Sequence, residues 1–334
     1  MDAVHDPGTA VARDRAAAAP QSLTPLRMRS GARLLAGVAS WTDPTMTAPG
    51  VFYPDGVKTP EARLRYYASR FPLVEVDSTY YALPARRMAE HWVDRTPDGF
   101  TFNVKAHALM TGQPTEVARL PKELRESLPA ALARRDRIYA TDLPPEILDE
   151  VWRIFLDAIS PLRDGGRMGS ILLQFPKWIS PSRANAALIA RAAERLEGWR
   201  AAVEFRNRAW FSDATRPKTL DFLRRRRLAY VAVDSPPGFD SSVPLLAAVT
   251  NPELAVIRFH GRNTDTWEAK VSRVADRFRY LYDERQIAEW LPVITAVSEQ
   301  AEEVHLVFNN CYGNYGTTNA LEIAALLLRE GLAE

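Results

Sequence analysis

The chain has 334 residues, of which 46% are hydrophobic and 25% charged, and a formal net charge of +2. That is enough apolar material for one large α/β unit or two ordinary domains, and the basic excess is too mild to imply nucleic acid by itself. No apolar run reaches the roughly 18 residues that a membrane-spanning helix needs, and the single cysteine, Cys311, excludes an intrachain disulfide and a multi-cysteine metal site, so a reducing, cytoplasmic setting is expected.

Residues 1–30 are rich in Ala, Pro and Arg, carry Asp at positions 2, 6 and 14, and have no continuous apolar stretch. They make a poor signal peptide and are expected to form a disordered tail, leaving 31–334 as one folded domain. From Leu34 onward short apolar runs predict eight strands, at 34–40, 73–77, 101–105, 170–175, 201–205, 229–234, 254–260 and 304–309. Amphipathic segments at 60–70, 85–94, 145–159, 181–197, 213–226, 283–299 and 317–329 predict helices, several opening on Pro, Ser or Asp as helix starts do. Near-continuously apolar strands, each mostly followed by a helix, fit an α/β fold of the (β/α)8 TIM-barrel type, with a doubly wound sheet as the alternative. The barrel is expected to be irregular, because no clear helix follows strand six and residues 111–144 form a long insertion after strand three. Gly37-Val-Ala-Ser-Trp41 ends in a bulky aromatic instead of a glycine-rich phosphate turn, which argues against a dinucleotide site.

Polarity enters most strands only at the C-terminal end. The run Ala255-Val-Ile-Arg-Phe-His-Gly-Arg262 carries Arg258, His260 and Arg262 on alternate positions, so the three are expected to share one face. Glu75 pairs in parity with Asp77, Lys105 with His107, and Glu204 with Arg206, while Gln174, Asp234, Asn309 and Asn310 close other strands. Barrel enzymes build their sites at this end, so these residues are expected to form a polar ring at the barrel mouth. Two plainer readings stand beside it: solvated loop starts and a structural network of buried ion pairs. The Arg224–Arg227 run ends a helix and reads as a solvated face. Cys311 reads as a small packing residue, and His5, His91 and His305 show no metal-ligand spacing.

Several stretches resemble the DUF72 (YecE-like) family: Gly37-Val-Ala-Ser-Trp41, the run from Arg70-Phe71-Pro72 through Glu75-Val-Asp77-Ser-Thr79-Tyr80-Tyr81, Phe100-Thr-Phe-Asn-Val-Lys105-Ala106, Leu172-Leu-Gln174-Phe-Pro176, Ala202-Val-Glu204-Phe-Arg206 with Trp210, Arg258-Phe-His260-Gly-Arg262 and Phe308-Asn309-Asn310. The resemblance implies a TIM-barrel-type fold and brings no function with it. The chain departs from the family where many members have Ile-Thr-His after the lysine strand. Here Leu109-Met110-Thr111-Gly112-Gln113 stands instead, and Gln113 cannot titrate, leaving His107 as the neighbouring imidazole.

The residue types suit acid/base chemistry. Glu75, Lys105, Glu204 and His260 are the catalytic candidates. Arg206, Arg258 and Arg262 could grip a carboxylate or phosphate, and Gln174, Asn309 and Asn310 could bond neutral hydroxyls, with Asp234 and Tyr282 completing the ligand-binding set. The favoured reading is an enzyme of hydrolase, lyase or isomerase type acting on a small anionic or sugar-like metabolite. A nucleic-acid-processing protein, stacking bases on Trp41, Tyr80, Tyr81, Trp210 and Tyr282, is one alternative; a non-catalytic binding barrel is another. A divalent metal on Glu75, Glu204 and His260 would suit either enzyme reading, but the dispersed spacing gives it no support.

Overall fold

The computed structural model describes residues 3–271 and 273–334. Eight parallel strands close into a barrel: β1 (Arg33–Ala39), β2 (Leu73–Val76), β3 (Thr101–Lys105), β4 (Met168–Phe175), β5 (Ala201–Phe205), β6 (Ala229–Asp234), β7 (Ala255–Phe259) and β8 (Glu303–Phe308). Each pairs with its sequence neighbour, and β8 closes the ring on β1 with Val304 opposite Leu34 and Phe308 opposite Val38. Nearly all their residues are buried, the pattern of strands covered on both faces.

The closure of β1 on β2 depends on one glycine. A Cβ at Gly37 would stand 1.9 Å from the Leu73 carbonyl oxygen. Beside it the buried Tyr67 hydroxyl accepts from Val38 N and donates to Leu73 O, so the bare backbone and one phenol together seat the two strands.

The main helices around the barrel are α2 (Pro60–Ala68), α3 (Arg86–Asp94), α4 (Pro145–Asp164), α5 (Arg183–Arg195), α6 (Arg216–Arg225), α7 (Leu291–Ser298) and α8 (Tyr315–Arg329). Thr59 and Ser182 cap α2 and α5, each side chain accepting a backbone N–H three residues on. Two boundaries differ from the sequence expectation, and both concern proline. The helix expected over 283–299 breaks into Glu284–Ala288 and α7, because Pro292 lacks the N–H and crowds the carbonyl of Ala288. Conversely α4 runs through Pro161 to Asp164. The carbonyl that Pro161 cannot serve, that of Asp157, accepts instead from Arg86 Nη1 and Ser160 Oγ. Among the described residues, 235–254 carry no helix after β6, and the insertion after β3 is closed by a two-residue antiparallel ladder, Thr115–Glu116 on Arg137–Ile138.

The disordered tail expected over residues 1–30 is corrected for the described part; Met1 and Asp2 lie outside it. Residues Pro7–Ala18 form a helix, here α1, packed on α8, and Leu26–Arg27 adds an antiparallel strand to β1. The composition misleads because α1 docks through small residues and polar contacts, with no apolar stripe of its own. A Cβ at Gly8 would meet the Tyr315 hydroxyl at 1.9 Å, Thr318 Oγ1 donates to Ala12 O, and Arg15 pairs with Glu322. No helix among the described residues is long and apolar enough to cross a membrane.

Candidate functional site at the barrel mouth

Two polar layers lie inside the barrel. The lower one joins Asn103, Ser170, Glu303 and His305: Ser170 Oγ donates to Asn103 Oδ1, and the His305 ring bridges Asn103 and Glu303 at 3.1 and 2.9 Å. Arg33 and Arg200 cover the far side of Glu303. It sits toward the N-terminal ends of the strands, where polar clusters in this fold serve stability.

The upper layer centres on Arg258, whose side chain is fully buried. Its Nη2 donates to Glu75 Oε1 and its Nη1 to Glu204 Oε2. Arg206 pairs with the other oxygen of Glu204, which also accepts from Gln174 Nε2 at 2.8 Å. His260 Nε2 lies 3.2 Å from the same oxygen and 3.0 Å from Arg206 Nη2, while Asn309 Nδ2 stands 2.8 Å from His260 Nδ1. His260 Nε2 therefore stands between a donor, Arg206, and an acceptor, Glu204. Two guanidiniums thus balance two carboxylates, as burial of charge requires.

The two glutamates titrate apart. Burial raises both, but around Glu204 the charges of Arg206 and Arg258 and the hydrogen bond from His260 outweigh it and hold the carboxyl well below the usual range. Glu75 has Arg258 as its one direct cationic partner; burial dominates and pushes it from 4.5 up to about 7, the charge of Asp77 adding to the rise. Its Oε2 is buried without a hydrogen-bond partner. His260 is driven down to about 3 by burial and by Arg206, so it is neutral.

Lys105 borders this layer, its Nζ 3.6 Å from Asp77 Oδ1 and 4.8 Å from the centre of the Tyr80 ring. Lys105, Asp77 and Arg206 keep 14%, 25% and 15% of their side chains exposed, so this is the side from which the layer meets solvent. Gln113, at the place of the expected family histidine, accepts from Tyr80 OH and donates to Gln174 O at 3.1 Å. It is a structural tie. His107 is buried with neither ring nitrogen hydrogen-bonded, and burial lowers it to about 4.

A roof comes from residues without a strand signal. The Arg206 guanidinium lies 5.0 Å from the Trp267 ring, and Trp267 and Phe278 stand 6.0 and 5.9 Å from the His260 ring. Trp267 is fixed by donating to Ser241 Oγ, itself bonded to Glu268. Their lack of periodicity hid them from sequence reasoning; the only signal was aromatic residues in a long loop next to the Arg258 strand.

Four expected ligand-binding residues do not join the mouth. Asp234 stands in register with Phe259, whose ring packs outward on Trp290 and Tyr282. Asp234 accordingly bonds the Trp290 indole N–H at 2.6 Å and takes a two-armed contact from Arg262. Arg262 leaves the face of Arg258 because Gly261, at φ 86°, ends the strand alternation between them. The Tyr282 hydroxyl is buried as the acceptor of Gly261 N, and Asn310, one residue from Asn309 and so on the opposite face, bonds Tyr280 O and Asn319. A cavity of about 620 Å³ opens beside this outer cluster, lined by Phe211, Val233, Asp234, Leu245, Arg262 and Trp290. It occupies the flank where β6 lacks its helix. The chemistry concentrated around Arg258 lies inward of it, so charge and burial, not cavity size, mark the candidate site.

Among the described residues no group of three or more His, Cys, Asp or Glu is arranged to hold a metal ion. Glu75 and Glu204 turn to Arg258 instead. Cys311 donates to Ala39 O, and burial holds its thiol well above the ordinary value, as suits a packing residue.

A closed eight-stranded parallel barrel with a charged network inside its C-terminal mouth defines a TIM-barrel protein. The chain belongs to the DUF72 family, "Protein of unknown function DUF72", whose model matches residues 35–333. It is similar to the UPF0759 protein YunF of Bacillus subtilis (strain 168), 27% identical over 270 residues that cover 80% of this chain and 87% of the relative. Among solved structures it resembles a DUF72 family protein from Thermotoga maritima MSB8, at 27% identity and a TM-score of 0.69 over 88% of this chain and 99% of the other. A DUF72 family protein from Enterococcus faecalis V583 matches at 25% identity and a TM-score of 0.67, over 88% and 97%.

Proposed function

We propose that the protein is an enzyme that moves a proton on a small anionic or sugar-like metabolite at the barrel mouth, with Glu75 as the acid/base group. One observation carries this reading: Glu75 is buried beside Arg258, titrates at about 7, and holds an unbonded oxygen. An acid or base works best with a pKa near the operating pH, and neighbouring carboxylates driven apart are a mark of assigned proton-transfer roles. Glu204 stays ionised and fixes Arg206, Arg258 and His260. Lys105 and Arg206, on the solvent side, supply the cationic grip, and the Lys105–Asp77 contact at 3.6 Å is the partly exposed edge of the network nearest Glu75.

The nucleic-acid alternative needs exposed aromatic platforms; of its five rings Trp41 and Trp210 are at most 8% exposed, Tyr282 is fully buried and Tyr80 is half-buried, which leaves Tyr81, 45% exposed, as the one open face. The test is a thermal-shift screen of small carboxylates, phosphomonoesters and sugar acids on wild type and Lys105→Ala. A ligand that stabilises wild type by several degrees and leaves the variant unmoved supports the site, because ligand bound to the native state alone raises stability by RT ln(1 + [L]/Kd). Glu75→Gln should then bind that ligand and fail to turn it over. Full turnover by Glu75→Gln, or tight salt-sensitive binding of oligonucleotides in place of any metabolite, would overturn the proposal.

A further inference from the structure

The N-terminal segment, outside the part of the chain that the family model matches, touches three loops at the mouth end of the barrel. Arg13 Nη2 donates to Gly50 O, on the loop after β1, at 2.8 Å. Thr9 O accepts from Asn314, on the loop after β8. The third loop, between β7 and α7, is the one that carries Trp267 and Phe278, and it is held most firmly: Arg279 pairs with Asp6 Oδ1, and Arg15 Nη2 donates to Tyr282 O at 2.6 Å.

Asp6 is the centre of this docking. It is 3% exposed, and its second oxygen accepts from the Tyr315 hydroxyl on α8, so one buried carboxylate ties the β7 loop to the barrel's last helix. Around it a small apolar cluster separate from the main core joins Ala3 and Ala12 of the N-terminal segment to Val51, Tyr312 and Tyr315, with Ala275 and Leu281 of the β7 loop packed on it. Residues 275 to 281 therefore lean on the N-terminal segment from both sides of Phe278, which faces His260. Arg277 is in the same stretch, close enough to Arg206 and Tyr81 for its charge to be felt at both.

We infer that the N-terminal segment is a clamp on the β7 loop, acting through Asp6 and Arg15, and that it sets how closed the barrel mouth is. Between β7 and the helix Glu284–Ala288 the described residues of the loop have no regular structure beyond the single turn Val274–Arg277. A segment with few buried contacts of its own sits at the low-stability end of a protein and opens locally ahead of global unfolding. Removing the clamp should release residues 274–282, lift Phe278 from His260 and leave the barrel strands as they are. The inference does not depend on the acid/base reading of Glu75.

The experiment compares full-length wild type, Asp6→Ala and Arg15→Gln by hydrogen exchange with mass spectrometry, with diethylpyrocarbonate modification of His260 as a second readout. Peptides covering 274–282 should exchange about ten-fold faster or more in Asp6→Ala, and more modestly in Arg15→Gln, while peptides from β1 and β8 keep their protection. His260 is neutral and fully buried, so its modification should accelerate with the loop. Unchanged exchange at 274–282 in both variants, or faster exchange spread evenly over loop and barrel, would overturn the clamp. Should Asp6→Ala fold poorly, Arg15→Gln alone decides between these outcomes.

Discussion

Replacing Arg258 by methionine would leave Glu75 and Glu204 buried in the barrel without the guanidinium they share. Methionine fills much of the same volume, so the loss is chiefly electrostatic. Removing one partner of a buried pair costs roughly 3 to 5 kcal/mol, and the structure sets its pH dependence. In wild type Glu75 is raised from 4.5 to about 7. A carboxyl raised in the folded state lowers stability as pH climbs from 4.5 to 7, by about 3 kcal/mol in order of magnitude, and adds no further slope above 7. Without Arg258 its folded pKa moves higher still, so the variant goes on losing stability between pH 7 and 8 where wild type does not. Urea unfolding at pH 6 and pH 8 should give a loss of about 3 kcal/mol or more at pH 8, larger than at pH 6 by about 1 kcal/mol. Arg258→Lys, which keeps the charge but cannot bridge both carboxylates with a fork, should fall between. A loss below about 1 kcal/mol at pH 8, or equal losses at the two pH values, would refute the assignment of Arg258 as the counter-ion that governs Glu75.

Gly37→Ala places a methyl 1.9 Å from the Leu73 carbonyl, a backbone atom fixed by strand pairing, and should cost roughly 3 kcal/mol or prevent folding; a melting temperature within two degrees or so of wild type would contradict the close approach. Glu303 is held at about 2, because the hydrogen bond and charge of His305 with the charges of Arg200 and Arg33 outweigh the effect of burial. Its stabilisation is present above 4.5 and is lost as pH falls toward 2, so Glu303→Gln should flatten the acid limb of the stability curve by a few kcal/mol, and an unchanged limb would remove the lower polar layer from the account. Gln113→His keeps one donor and one acceptor where the amide serves Tyr80, Gln174 and Thr111. It should cost about 1 kcal/mol in chemical denaturation, and a gain in stability would show that the tie is not needed.

The eight strands were legible to within a few residues because strands covered on both faces are continuous apolar runs. Alternation also placed Arg258 and His260 together correctly, since nothing interrupts the strand between them. It misplaced Arg262, two residues further on, because the turn at Gly261 ends the period, and it could not give Asp234 or Asn310 a face, since a one-residue offset turns inward to outward. Trp267 and Phe278 escaped notice because a covering loop has no period at all. The N-terminal helix escaped for a different reason: it is held by a glycine contact, one buried aspartate and arginines reaching backbone carbonyls, none of which raises local hydrophobicity.

Two arginines and two glutamates cancel inside the mouth of the barrel before any ligand arrives. On the proposed function, an anion settling beside Lys105 and Arg206 would add negative charge next to this network, and the group to yield would be the one titrating nearest neutrality, Glu75. Its carboxyl would take up a proton. Capture of an anion and protonation of the buried acid would then be one event, with affinity rising as pH falls toward 7 and levelling off below it, and with a binding heat just above pH 7 that varies with the ionisation enthalpy of the buffer.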